Sequence, residues 1–153
     1  TKGLYMVTLE DLHEMWGKDS KIDPTKIKEI SLETPILHAK YLKYLSLFKL
    51  QYRRKDHQYK TLYQNKKLWY EGHLSKERMD TLGWSYDPYD GLIVNAKTKQ
   101  MSYYDSDPDL QEAKSSIEYT KVVVEYLEEI IGNLNWRHNT IKNYIELRKF
   151  EQQ

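Results

Sequence analysis

The sequence predicts a mainly α-helical fold, a long helical hairpin with short N-terminal helices and a small β-hairpin insertion between the two long helices. Three observations predict it. Between Pro35 and Gly72 there is no glycine or proline, and Leu37, Tyr41, Tyr44, Phe48, Tyr52, Tyr59 and Leu62 recur at steps of three, four or seven. Near the C-terminus Ile117, Val124 and Ile131 stand seven apart, as do Leu127, Leu134 and Ile141. Between these segments lie the turn formers Gly83, Pro88, Gly91 and Pro108. At 153 residues the chain suits one domain, residues 1–153. It has no cysteine, which excludes disulfides, thiolate metal sites and thiol nucleophiles and favours a reducing compartment. Mean hydropathy is −0.85, apolar runs are short, and the opening TKGLYMV lacks the layout of a secretion signal. Neither membrane insertion nor export is expected.

Short leading helices are expected over residues 8–33. Thr8 is a hydroxyl cap followed by Glu10 and Asp11 in the first turn, with Leu9, Leu12, Met15 and Trp16 at helical spacing and Gly17 as a stop. Asp23-Pro24 starts a second short helix, and Thr34-Pro35 starts the first long one, residues 34–72, closed by Gly72. This helix would reach roughly 50 Å. Within residues 73–107, Leu92-Ile93-Val94 and Met101-Ser102-Tyr103-Tyr104 are rich in β-formers and predict the hairpin. Asp107-Pro108 opens the second long helix, residues 108–150, whose heptad continues through Gly132-Asn133. A two-helix hairpin buries little surface, and this helix carries apolar residues almost all round, so Val124, Leu127, Ile131, Leu134, Ile141 and Ile145 are the expected self-association contacts.

Net charge is +1, but the charge is segregated. Residues 36–70 hold nine basic side chains against Asp56 alone, a net of +8, while residues 105–130 hold eight acids against Lys114 and Lys121. Ordinary exposed helices alternate signs, so the basic segment points to a polyanion. On a helix advancing about 100° per residue, Lys49, Arg53, Lys60 and Lys67 fall within about 40° of one another, roughly 120° from the apolar stripe. Such a line matches a nucleic-acid backbone, and symmetry in an oligomer would multiply it into a belt. Arg54, Lys66 and Lys67 add to the same segment. Tyr41, Tyr44, Tyr52 and Tyr59 share the apolar stripe and read as core or interface residues more than as base-stacking platforms. The competing reading is a structural coiled-coil oligomer whose basic helix pairs with its own acidic helix.

Several elements together carry a family resemblance. They are the opening LEDL-x5-KD-x2-ID-x-TKI from Leu9 to Ile27, the KKLWYEG that ends the basic helix, and MD-x2-GW from Met79 to Trp84. YYDSDPDL from Tyr103 to Leu110 and R-x3-IKN-x-IE-x-RKF from Arg137 to Phe150 complete the set. In order and spacing this resembles the UvsY family of phage recombination mediators, over about residues 8–150. The resemblance implies a non-catalytic protein in the cytoplasm of the infected bacterial host, without cofactor. It implies a ring-like homo-oligomer, a hexamer or heptamer, that binds single-stranded DNA. It further implies partnership with a RecA-like phage recombinase and a phage single-strand-binding protein, the first replacing the second in recombination-dependent replication and repair. The family's DNA-linked basic pair, just ahead of an aromatic-aromatic-x-Gly, falls on Gln64 and Lys66; the first is not basic, and Lys67 is the candidate substitute. The family's oligomer-forming C-terminal helix maps onto Leu127, Leu134, Ile141 and Ile145.

Other motifs point elsewhere and fail on chemistry. Asp105, Asp107 and Asp109 start like a calcium loop, but Leu110 stands where glycine is needed and Ser116 where a bidentate glutamate is needed, so they read as a helix cap. No histidine pair stands three or four apart, no glycine-rich phosphate loop is present, and His73 with Glu77 and Asp80 is too generic a set to indicate a nuclease.

Overall fold

The structure, a computed structural model, describes residues 7–153. Helix α1, Leu9–Asp19, starts with the expected cap: the Asp11 N–H donates to Thr8 Oγ1 at 3.1 Å, and the Thr8 N–H donates to the Asp11 carboxylate at 3.0 Å. It does not stop at Gly17. Its last residue, Asp19, is held from outside the helix, accepting from Lys40 Nζ and the Tyr41 hydroxyl at 2.7 Å each. Asp23 caps a single 3-10 turn, Pro24–Lys26, that passes directly into α2, Ile27–Tyr70.

Helix α2 also runs through Thr34-Pro35, where a restart was expected. An internal proline costs about 3 kcal/mol by removing a backbone bond and crowding the preceding turn. Here Ile30 before it and Tyr41 after it are both buried, so packing on either side spans the defect. Thr34 Oγ1 donates to the Ile30 carbonyl at 2.8 Å. Gly72, at φ 78°, closes the helix: His73 N–H reaches Leu68 O at 2.8 Å and Gly72 N–H reaches Trp69 O at 3.2 Å. That pair of bonds needs a left-handed residue at position 72.

The expected β-hairpin is not formed; among the described residues there is no strand. Instead the segment holds α3, Lys76–Leu82, and α4, Lys97–Asp105, which contains Met101 to Tyr104. Tyr103 and Tyr104 lie with ring centroids 6.3 and 6.2 Å from Tyr70. Burial in that aromatic cluster outweighs their β propensity, and an isolated two-stranded hairpin would be marginal in water. Leu92 and Ile93 remain in an exposed connection. Helix α5, Pro108–Glu151, runs through Gly132-Asn133 as the heptad predicts.

Two compact units share the long helices. The first, residues up to 51 and from 120 onward, has a core of Leu12, Tyr41, Leu45, Phe48, Val123, Leu127, Ile130 and Leu134. Arg137 is buried there and donates to the carbonyls of Asp19 and Lys21 at 3.1 and 3.3 Å, satisfying groups at the end of α1. The second unit, residues 52–119, is built around Tyr70, Tyr104 and Leu110, with Tyr59, Leu62, Tyr63, Trp69, Tyr89 and Tyr103 packed on them. Among the described residues, no helix is long and apolar enough to cross a membrane.

Candidate nucleic-acid interface

The nine cations of the basic segment have unequal fates. Lys40 belongs to Asp19, at 2.7 Å. Lys49, in the first unit, lies 3.5 Å from Glu128 with both side chains about half exposed, and Lys60 lies 3.0 Å from Asp56 one turn earlier. Exposed pairs of this kind contribute about 0–1 kcal/mol, so a phosphate can replace either carboxylate at little cost. Burial lowers the Lys55 pKa. Among the described residues Lys43, Arg53, Arg54 and Lys67 have no carboxylate within ion-pair distance, and Arg53 and Arg54 are exposed. Lys67 is half-buried, and Gln64 is exposed. In the second unit, therefore, Arg53, Lys60, Gln64 and Lys67 lie along the outer side of α2, while Arg54, also exposed, is about 100° around the helix from Arg53.

Lys66, counted with these cations from the sequence, is placed elsewhere. It is 3% exposed, with its ammonium 2.8 Å from Asp109 Oδ2 and 3.2 Å from Asp107 Oδ2. The same ammonium lies 4.8 Å from the ring centroid of Trp69 and 4.4 Å from that of Trp84. Breaking a buried ion pair by removing one partner costs about 3–5 kcal/mol. Lys66, a DNA-binding candidate from the sequence, is thus an interior cation in the fold.

Its partner Asp107 is saturated. Oδ1 accepts from the N–H groups of Asp109 and Leu110 at 2.9 and 3.1 Å, so it caps α5 as the sequence indicates, and Oδ2 accepts from the Tyr70 hydroxyl at 2.6 Å. Burial opposes its charge, but the bonds from Tyr70, the Leu110 N–H and Lys66 prevail and hold its carboxyl below the usual range. The Tyr70 hydroxyl is pushed up by burial and by that carboxylate, and its carbonyl accepts from the Tyr89 hydroxyl. The pairing of Lys66 with the YYDSDPDL turn was missed from sequence, as was α3; Ser75 as a cap and Gly83 as a stop were the available signals for the latter.

The tyrosines follow the core reading where they can be followed. Tyr41 is fully buried, Tyr44 packs on the first core and Tyr59 on the second. Of the expected association residues, Leu127, Leu134 and Ile141 are buried within the subunit, and Val124 and Ile131 pack on its core. Ile145 is partly exposed and lines a groove of about 580 Å³ with Ile141, Pro35, Thr34 and His138. Trp136, Leu147 and Phe150 are large apolar residues left exposed on α5, to 67, 56 and 74%. Among the described residues, no group of three histidine or acidic side chains is arranged to hold a metal.

Among the described residues, the framework is all-helical and one helix displays several cations without a carboxylate within ion-pair distance. The family model described as "Recombination, repair and ssDNA binding protein UvsY" matches residues 15–153, and the chain belongs to the UvsY family. The recombination protein uvsY of Enterobacteria phage T4 is 26% identical over 143 residues, covering 94% of this chain and 96% of its own. A crystal structure of the bacteriophage T4 recombination mediator protein UvsY superposes with a TM-score of 0.79 at 23% identity, covering 96% of this chain and 99% of that one. A second lattice form gives 0.75 at 22% identity over 95% and 99%. At that identity the solved structures establish the shared fold.

Proposed function

We propose that this protein is a single-stranded-DNA-binding recombination mediator of an infected bacterial cell, acting by binding and not by chemistry. The observation that carries the reading is the outer line of α2, where Arg53, Lys60 and Lys67 stand with Gln64 and, among the described residues, only one weak, exposed pair restrains them. Cations held on a stiff helix meet phosphates without ordering a loop first, and release of condensed counterions then drives association. In an assembly of several copies, six or seven by analogy with the family, such lines form a cationic track on which a strand bends. A strand held this way is presented to a RecA-like phage recombinase as the grip of a phage single-strand-binding protein weakens. The exposed Trp136, Ile145, Leu147 and Phe150 supply apolar surface for self-association.

The second reading, an oligomer whose basic helix is satisfied by its own acidic helix, is favoured by the Lys49–Glu128 pair. Fluorescence anisotropy of a labelled oligothymidylate across a salt series separates the two. DNA binding predicts a log–log slope of about −0.7 per phosphate contact, reduced in magnitude by about 1.4 in Arg53→Ala/Lys60→Ala. Salt-independent or absent binding by the wild type, with self-association intact in sedimentation, would leave the purely structural reading standing.

A further inference from the structure

Lys66 is the one cation of the basic segment that the fold encloses completely, and nothing in DNA binding as proposed above uses it. On an α-helix advancing about 100° per residue, the outer line lies away from it: Lys67 at about 100°, Lys60 at about 120°, Arg53 at about 140° and Gln64 at about 160°. A side chain fixed at 3% exposure between two carboxylates and two indoles therefore sets the rotation of the last turns of α2. The enclosure is built from three separate segments. Asp107 and Asp109 come from the start of α5, Trp69 from α2 itself, and Trp84 from the turn after α3. Two of the four are tied in turn: Asp107 by Tyr70 at 2.6 Å, and Trp69 by a bond from its Nε1 to the Ser85 carbonyl at 2.7 Å. The Trp69 and Trp84 rings lie 5.1 Å apart, closing the cage.

We propose that Lys66 is a positioning residue: its caged ammonium fixes the rotation of the end of α2 so that Lys67 joins Lys60 and Arg53 on the outer line, and it touches no phosphate itself. This rests on the reading of that line as the DNA-binding surface. It assigns opposite roles to two adjacent lysines, which composition and charge counting treat as equivalent. Lys67 is one helical step around from the cage and has no carboxylate partner among the described residues, so its direction is free to be set by its neighbour.

Amine-acetylation footprinting of the full chain, read by mass spectrometry with and without an oligothymidylate, tests this. A buried, ion-paired ammonium reacts at least about tenfold more slowly than an exposed one. Lys66 should be that slow with or without the oligonucleotide, while Lys60 and Lys67 react readily and are protected by it. In Lys66→Met, oligonucleotide protection of Lys67 should be lost while that of Lys60 persists, a split that general loss of stability would not produce. Asp109→Asn, which removes the more exposed partner, should raise the reactivity of Lys66 even if Lys66→Met does not fold. The proposal is overturned if Lys66 in the wild type reacts like Lys60 and becomes protected by DNA, or if Lys67 protection is the same in Lys66→Met. A slow Lys66 with no lysine protected by the oligonucleotide would instead overturn the DNA-binding reading while leaving the cage intact.

Discussion

Restoring a cation at Gln64 should strengthen binding to single-stranded DNA by an amount the structure allows to be worked out. Gln64 is exposed, four residues after Lys60 and three before Lys67, so it sits about 6 Å and about 4.5 Å from them along the helix axis. On the wheel it lies about 40–60° from both, inside the same outer sector. A lysine there adds one phosphate contact without disturbing the cage, because the substituted side chain points into solvent. One added contact steepens the log–log salt dependence by about 0.7 and raises the binding constant about fivefold near 0.1 M salt. The control is Ser115→Lys, which adds the same charge at an exposed site on α5 between Glu112 and Glu118. There the new ammonium meets carboxylates first, and at 0.1 M salt its field is screened over about 10 Å. Anisotropy of labelled oligothymidylate from 50 to 400 mM salt reads both quantities for the three proteins. Equal gains for Gln64→Lys and Ser115→Lys would show that net charge and not position governs binding, and an unchanged slope for Gln64→Lys would remove the outer line from the mechanism.

Leu134→Ala opens a cavity in the first core and should cost about 2.7–5 kcal/mol, read as a lowered denaturation midpoint; a loss below about 1 kcal/mol would contradict its placement among Tyr41, Phe48 and Leu127. Phe150→Asp, at a site 74% exposed, should leave that midpoint within about 0.5 kcal/mol of the wild type while reducing the sedimenting species, and a large stability loss without change in assembly would refute the surface assignment. The carboxyl of Asp107 is held low in the fold, so its stabilisation is present above the ordinary aspartate value of about 3.9 and is lost as pH falls through the folded-state value. Thermal melts should accordingly show Asp107→Asn well below the wild type at pH 6 with the gap closing toward pH 3, and a gap independent of pH would sink the assignment.

Helix existence was legible in the sequence wherever an apolar period ran for many turns, and helix ends were legible where a cap was local. Thr8, Asp23, Asp107 and Gly72 all act as their residue types imply. What failed needed knowledge of distant neighbours. Gly17 does not end α1 because Lys40, Tyr41 and Arg137 hold its last turn, from 21 to more than a hundred residues away along the chain. Pro35 does not divide α2 because buried residues flank it. Tyr103 and Tyr104 do not form a strand because Tyr70 supplies an aromatic surface for a helix. The charge segregation was visible and the helical wheel set Lys67, not Lys66, on the outer line, yet the burial of Lys66 was not visible, since it depends on which side of the helix faces Asp107 and Asp109.

The heptad of α5 illustrates a limit that is physical in origin. A repeat of seven states that a helix needs an apolar neighbour along one seam; it does not state whose side chains provide it. For Leu127 and Leu134 the neighbours are Leu12, Tyr41, Leu45 and Phe48 of the same chain, which fill the seam with side chains at 0–6% exposure. A surface already filled to that degree has little apolar area to give to a second copy. Any association through α5 would then draw on apolar groups left outside that core, which include Val122, Trp136, Ile145, Leu147 and Phe150; of these Ile145, fourteen residues after Ile131, is in phase with the seven-residue series. Apart from Ile145, the residues that build this core and the apolar residues left outside it are therefore separable by mutation, which one shared seam would forbid.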